Sequence, residues 1–320
     1  MARVDNSNLS MIMYHYVRPL KNSKYPNLKA LELTKFKEQI RWFKKEFDIL
    51  DYDQFLEIIN SKKLSKRKKL ILTFDDGYKD NYNYILPELV KNKITGFFYP
   101  PTKIIENKIV LDVNKIHFIL EKQQDRKKIL DDINYELKKL RYNDIYELNI
   151  PLKELKTRYD DLETSLIKKL LQYILPVNIR TKIIDLLITK YLNMSMKDLS
   201  KELYMNKKEL KELYDNGMHI GSHGEYHFRW GKLSEKEQTT EISNSIQFFK
   251  KLNFDINKLS VCYPYGSYND ATIKLVKKFN FKFGITTQVG KIFNDNLKNI
   301  FNLPRLNANE MQNDSFKKTK

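Results

Sequence analysis

Thr73-Phe74-Asp75-Asp76-Gly77 and, far along the chain, His223-Gly224-Glu225-Tyr226-His227 supply two adjacent carboxylates and a His-x-x-x-His pair. Such side chains could hold a divalent ion together with the base that deprotonates a water beside it. Side chains on an extended backbone alternate sides, so Asp75 and Asp76 take different jobs unless the turn at Gly77 re-aims one of them. One would ligate the metal while the other stays a free base. A surface Asp-Asp-Gly turn is the competing reading, because Asp and Gly favour turns for conformational reasons alone. If the second stretch is helical, His223 and His227 at i, i+4 share a face, and both neutral imidazoles reach one ion with Asp76 as the natural third ligand. A His pair at this spacing is often unligated, and it is the conjunction with the Asp pair that favours a metal site.

These residues need strand ends to place them. Leu70–Phe74 is an apolar run that breaks at Asp75, and Met218–Ser222 is a mostly apolar run that breaks at His223. Further strand candidates are Met11–Val17, Gly96–Tyr99, Leu259–Tyr263 and Phe281–Thr286. Helical segments alternate with them, which implies βα units and a mainly parallel sheet or barrel. Thr34–Phe47 sets Phe36, Ile40, Phe43 and Phe47 on one helical stripe, Ser234 with Glu237 forms a capping box, and Asn269 or Asp270 caps a helix running to Phe279. Residues 107–213 differ: they lack Gly and repeat Leu and Ile at helical spacing among charges, so they read as a helical insertion between 1–106 and 214–320. Its clearest stripe is Ile167, Leu170, Leu171 and Ile174, and His117 within it reads as packing.

The chain resembles the polysaccharide deacetylases with a NodB homology domain, carbohydrate esterase family 4. Thr73–Gly77 is similar to the family's first motif, which implies Asp75 as catalytic base and Asp76 as metal ligand. Ser222–His227 is similar to the second, which implies His223 and His227 as the other ligands, with Gly224 where a Ser or Thr is usual. Tyr263-Pro264-Tyr265-Gly266 resembles the third, which lends the Tyr265 N–H to an oxyanion. Its usual leading Arg is replaced by Cys262. No His follows His227 to supply the family's late general acid; Leu303-Pro304-Arg305 stands nearest, and Arg305 is a candidate to orient Asp75. Met13-Tyr14-His15-Tyr16-Val17 resembles the opening of such enzymes, with His15 either near the site or a satisfied core histidine. The resemblance implies a distorted (β/α) barrel with its site at the strand C-termini.

Composition is consistent with this. A chain of 320 residues, 41% hydrophobic, can bury a large core. Its single cysteine, Cys262, excludes an internal disulfide; a nucleophilic role for it is the minor reading beside a buried thiol. The first residues lack an apolar run of signal type and no stretch approaches about 18 uninterrupted apolar residues, so the expectation is a cytoplasmic protein. A formal charge of +18 rests mainly on scattered lysines, which argues against a specific nucleic-acid reader and leaves weak contact with an anionic membrane surface open. The expected activity is divalent-metal-dependent N-deacetylation of an N-acetylated saccharide in a glycan or glycan precursor, with zinc first and cobalt or nickel acceptable. The alternatives are O-acetyl ester hydrolysis at the same site and a silent glycan-binding protein.

Overall fold

The computed structural model describes residues 9–64, 66–107, 109–148, 150–155 and 160–311. Two compact units separate among them: one takes in the chain as far as Pro19, Ala30–Lys108 and everything from Lys201 on, the other Leu20–Lys29 and Ile109–Ser200. The second unit therefore ends at Ser200 rather than at 213. The reason is local: the Met205 N–H donates to Gly77 O (3.1 Å) and Tyr204 bridges to Tyr78, tying this stretch to the loop after Asp76.

The first unit is built on parallel strands: β1 (Leu9–Tyr14), β2 (Val17–Arg18), β3 (Leu31–Glu32), β4 (Asp48–Ile49), β5 (Lys69–Asp75), β6 (Gly96–Tyr99), β7 (His219–Ile220), β8 (Val261–Cys262), β9 (Gly284–Val289) and β10 (Leu303–Asn307). The main sheet runs β7-β6-β5-β1-β10-β9-β8, β4 joins beside the start of β5, and β2 pairs with β3 apart from it. A parallel bridge between Ser222 and Val261 joins the two ends, so the sheet closes into a distorted (β/α) barrel. All but the first residue of β5 are buried, as a strand covered on both faces requires. Leu9, Met11, Ile71, Phe97, Tyr99, Phe283, Ile285 and Leu303 fill one core with Phe55 of the helix Tyr52–Ser61.

Most elements start where their caps specify. Asp51, Ser234 and Asn269 each cap a helix with a reciprocal side-chain bond from the third helical residue. The first helix, Leu33–Glu46, buries Phe36, Ile40 and Phe43, but Phe47 lies beyond its end in extended backbone. Strand β1 stops before His15, and β9 starts three residues later than expected. Strand β10 was not foreseen at all, because Pro304 argues against a central strand. The ladder absorbs the proline by shifting register between Leu303 and Arg305 on the β9 side.

The second unit is helical, with Asp112–Lys122, Arg126–Lys139, Leu162–Lys169 and Val177–Leu192 its longest described segments. Ile167, Leu170 and Leu171 are fully buried there, whereas Ile174 is half-buried. A π-helical turn over Leu170–Ile174 changes the phase and takes Ile174 off the stripe. His117 sits half-buried in the helix Asp112–Lys122. No helix among the described residues is long and apolar enough to cross a membrane.

Candidate active site and metal centre

Strand β5 delivers Asp75 as its last residue, and the backbone then turns left-handed twice, at Asp76 (φ 66°) and Gly77 (φ 60°). A side chain at 77 is excluded, since its Cβ would lie 2.8 Å from that of Pro100. This turn breaks the strand alternation, so both carboxylates stay on the same buried end of the barrel and face different partners: Asp75 is 2% exposed and Asp76 5%.

Asp75 meets Arg305, which β10 carries in from the other side of β1. The guanidinium donates Nη1 to Asp75 Oδ1 (2.9 Å) and Nη2 to Oδ2 (2.7 Å). Its remaining donors reach Thr286 O (2.8 Å), Thr73 Oγ1 (3.0 Å) and Cys262 Sγ (3.3 Å). All five N–H groups of a fully buried arginine are thereby used. Burial pushes the Asp75 carboxyl up, but the Arg305 charge outweighs it and holds the group below the ordinary carboxylate value. His15 completes this side, with Nε2 3.9 Å from Asp75 Oδ2 and 42% of its side chain exposed.

Asp76 turns toward the two histidines. Its Oδ1 lies 3.5 Å from His223 Nε2 and 3.4 Å from His227 Nε2. The Tyr78 hydroxyl donates to Oδ2 at 2.7 Å, and Oδ1 is buried with no hydrogen-bond partner among the described residues. Burial and then the charge of Asp76 push the Tyr78 hydroxyl up, so it remains a donor. His223 Nδ1 lies 2.6 Å from Cys262 O; a carbonyl only accepts, so Nδ1 carries a proton and Nε2 is the nitrogen turned toward Asp76. In the chain without a metal, burial raises Asp76 and the imidazoles more than reverse this, while burial and the His223 charge push His227 down to about 3.

These residues fit a divalent cation. An orphaned carboxylate oxygen and two imidazole nitrogens converge, one imidazole is oriented by a carbonyl, and the carboxylate is oriented by a phenol. Asp75, His223 and Cys262 also cluster closely, yet both Asp75 oxygens belong to Arg305 and burial pushes the Cys262 thiol up. The cysteine is therefore a packed thiol, not an activated nucleophile.

The two histidines are not presented by a helix as their spacing suggested. Gly224 (φ 75°) and His227 (φ 61°) bend residues 223–229 into a loop that brings the rings within 4.7 Å. Buried Glu241 pins this loop, accepting the N–H groups of Glu225 (3.0 Å) and Tyr226 (3.1 Å). A Cβ at residue 224 would sit 2.8 Å from Glu241 Oε2, which explains Gly224 where the motif usually carries Ser or Thr. Neither Glu241 nor Tyr78 carried a signal in the sequence, since each acts through a contact set only by the fold. Tyr265 occupies a left-handed turn (φ 58°), with its ring 4.5 Å from that of His227 and the Arg229 guanidinium 3.8 Å over it. The structure thus brings Asp75, Asp76, His223, His227, Arg305, His15 and Tyr265 to one end of the barrel.

The sequence profile of the family described as polysaccharide deacetylase matches residues 62–142 and 160–284. A Bacillus subtilis protein named as a polysaccharide deacetylase is 27% identical over 99 residues, 31% of this chain and 35% of that one. The poly-beta-1,6-N-acetyl-D-glucosamine N-deacetylase of Staphylococcus epidermidis is 26% identical over 120 residues, 35% of this chain and 40% of that one. The chain thus spans well under half the length of these curated relatives. Among solved structures, the fold is similar to Streptococcus pyogenes deacetylase PplD in complex with acetate (TM-score 0.56, 18% identity, 93% of this chain and 91% of that one). It is also similar to IcaB from Ammonifex degensii (TM-score 0.56, 14% identity, 94% and 92%).

Proposed function

Because the chain belongs to the polysaccharide deacetylase family, we propose that it is a divalent-metal-dependent N-deacetylase that hydrolyses the acetamide of an N-acetylated sugar in a glycan or glycan precursor. The observation that carries this is the orphaned Asp76 Oδ1 beside the Nε2 atoms of His223 and His227, adjoining an Asp75 whose two oxygens are held by Arg305. Asp76, His223 and His227 would hold the ion, zinc first, with cobalt or nickel compatible with the same donors. When bound, the ion supplies Lewis acidity toward the acetyl carbonyl and acidifies water.

The residues around it divide the remaining work. Asp75 accepts the proton of the attacking water. Arg305 occupies one direction at each Asp75 oxygen and keeps the carboxylate ionised and aimed. The Tyr265 N–H is assigned to the developing oxyanion, at a turn whose backbone conformation is fixed. His15, on the solvent side of Asp75, hands a proton to the departing amine. Among the described residues no other histidine outside the ligand pair stands beside Asp75, which fits the absence of a late His.

The named relative from Staphylococcus epidermidis makes N-acetylglucosamine oligomers the first substrates to try. A cytoplasmic location would favour lipid-linked or nucleotide-linked intermediates, and activity confined to extracellular polymer would contradict that. The test is acetate release from matched N-acetyl and O-acetyl sugars by zinc-loaded, chelator-stripped and reloaded protein. Release from the amide, lost on stripping and regained on reloading, is expected. Release from the ester alone would assign an O-acetyl esterase, and no release with zinc bound would favour a silent glycan binder.

A further inference from the structure

The loop that carries His227 also carries an aromatic stack that the proposed chemistry does not use. Tyr226 and Phe228 flank the ligand on either side, and because His227 is left-handed their rings come together, 5.4 Å apart and 12° from parallel. Behind Tyr226 the Lys103 ammonium lies 5.0 Å from the ring centre, held by a 3.2 Å ion pair with Glu225. Glu225 is fixed in turn by the Asn244 amide at 2.7 Å, and the Tyr226 N–H is fixed by Glu241. The inner faces of the stack are closed, whereas Phe228 is 49% exposed.

Resting on the deacetylase reading, we propose that Phe228, backed by Tyr226 and Lys103, is a binding platform for the sugar residue next to the one whose acetamide is cleaved. A lone exposed aromatic needs no explanation, but this one is the outer layer of a rigid stack. Its Cα is about 3.8 Å from that of a metal ligand, so a glycan engaged at the site passes within a side chain's length of it. The C–H groups of a pyranose face carry partial positive charge and meet the negative face of an aromatic ring. Lys103 behind Tyr226 is paired with Glu225, so the stack offers an apolar face rather than a net charge, and the neighbour it fits is a neutral, still acetylated sugar. The chemical class is therefore an oligomer of N-acetylated hexosamine, and monomers forgo the contact.

The experiment compares kcat/KM for acetate release from N-acetylglucosamine and its β-1,6-linked tetramer, using zinc-loaded wild type, Phe228→Ala and Phe228→Tyr. Wild type is expected to prefer the tetramer, and Phe228→Ala to lower the tetramer-to-monomer ratio by about fivefold to tenfold, mainly through KM. Phe228→Tyr should restore it. A ratio unchanged in Phe228→Ala would overturn the platform while leaving the deacetylase reading intact. If wild type releases no acetate from either sugar, that reading fails, and calorimetry of tetramer binding decides the platform. Binding weakened by Phe228→Ala would support it, and equal or absent binding would refute it.

Discussion

Replacing Tyr78 by Phe removes the oxygen that supports Asp76 and that also hydrogen-bonds with Tyr16. The ring stays, so its stacking on Tyr16 at 4.1 Å is kept, and no cavity larger than a hydroxyl opens. What Asp76 loses is the 2.7 Å bond at Oδ2, a hydrogen bond to a buried charged acceptor. Bonds of that kind contribute about 1.5–3 kcal/mol. At about 1.4 kcal/mol per factor of ten, an effect of that size on the bound geometry weakens zinc by roughly tenfold to a hundredfold, the range seen when outer-shell partners of metal ligands are removed. With Oδ2 released, the carboxylate is free to swing, and Oδ1 is no longer held toward His223 and His227. The assay is competition titration of zinc against a chromophoric chelator, which needs no substrate, with urea unfolding of the stripped protein in parallel. A zinc Kd within about twofold of wild type would refute the claim that Tyr78 orients the ligand.

Arg305→Gln breaks a fully buried ion pair and leaves the Asp75 charge unmatched, so it should destabilise the fold by about 3–5 kcal/mol in denaturant unfolding and abolish acetate release. An unchanged midpoint would contradict the five-donor arrangement. Gly224→Ala forces a left-handed alanine whose Cβ meets Glu241, and should cost at least about 1 kcal/mol and loosen zinc retention. A variant as stable as wild type would show the His loop to be more adaptable than its geometry implies. Cys262 in the native protein should resist iodoacetamide and react only after unfolding, read by intact mass, because burial raises its thiol.

The candidate metal set was legible because its members are short motifs at strand ends, where chemistry and backbone punctuation coincide. Asp75, Asp76 and the two histidines stand where βα logic places a site. How the site is assembled was not legible. The His spacing suggested a helix, whereas Gly224 and a left-handed His227 make a loop, and the contact that imposes it is to Glu241 on a distant helix. The strand β10 was concealed by Pro304, so the strand that positions Arg305 was visible only once β1 and β9 were seen to flank it. That partner also accounts for Cys262: with the guanidinium arriving from β10, residue 262 has only to offer a small side chain against Nη2.

The account turns on Asp75 acting as base beside a metal it does not bind. The direct measurement is acetate release from an N-acetylated oligosaccharide by wild type and Asp75→Asn, with zinc content determined for both. The account predicts equal zinc in the two proteins and acetate from wild type alone. Asp75→Asn that releases acetate at the wild-type rate, or that loses its zinc, would contradict it.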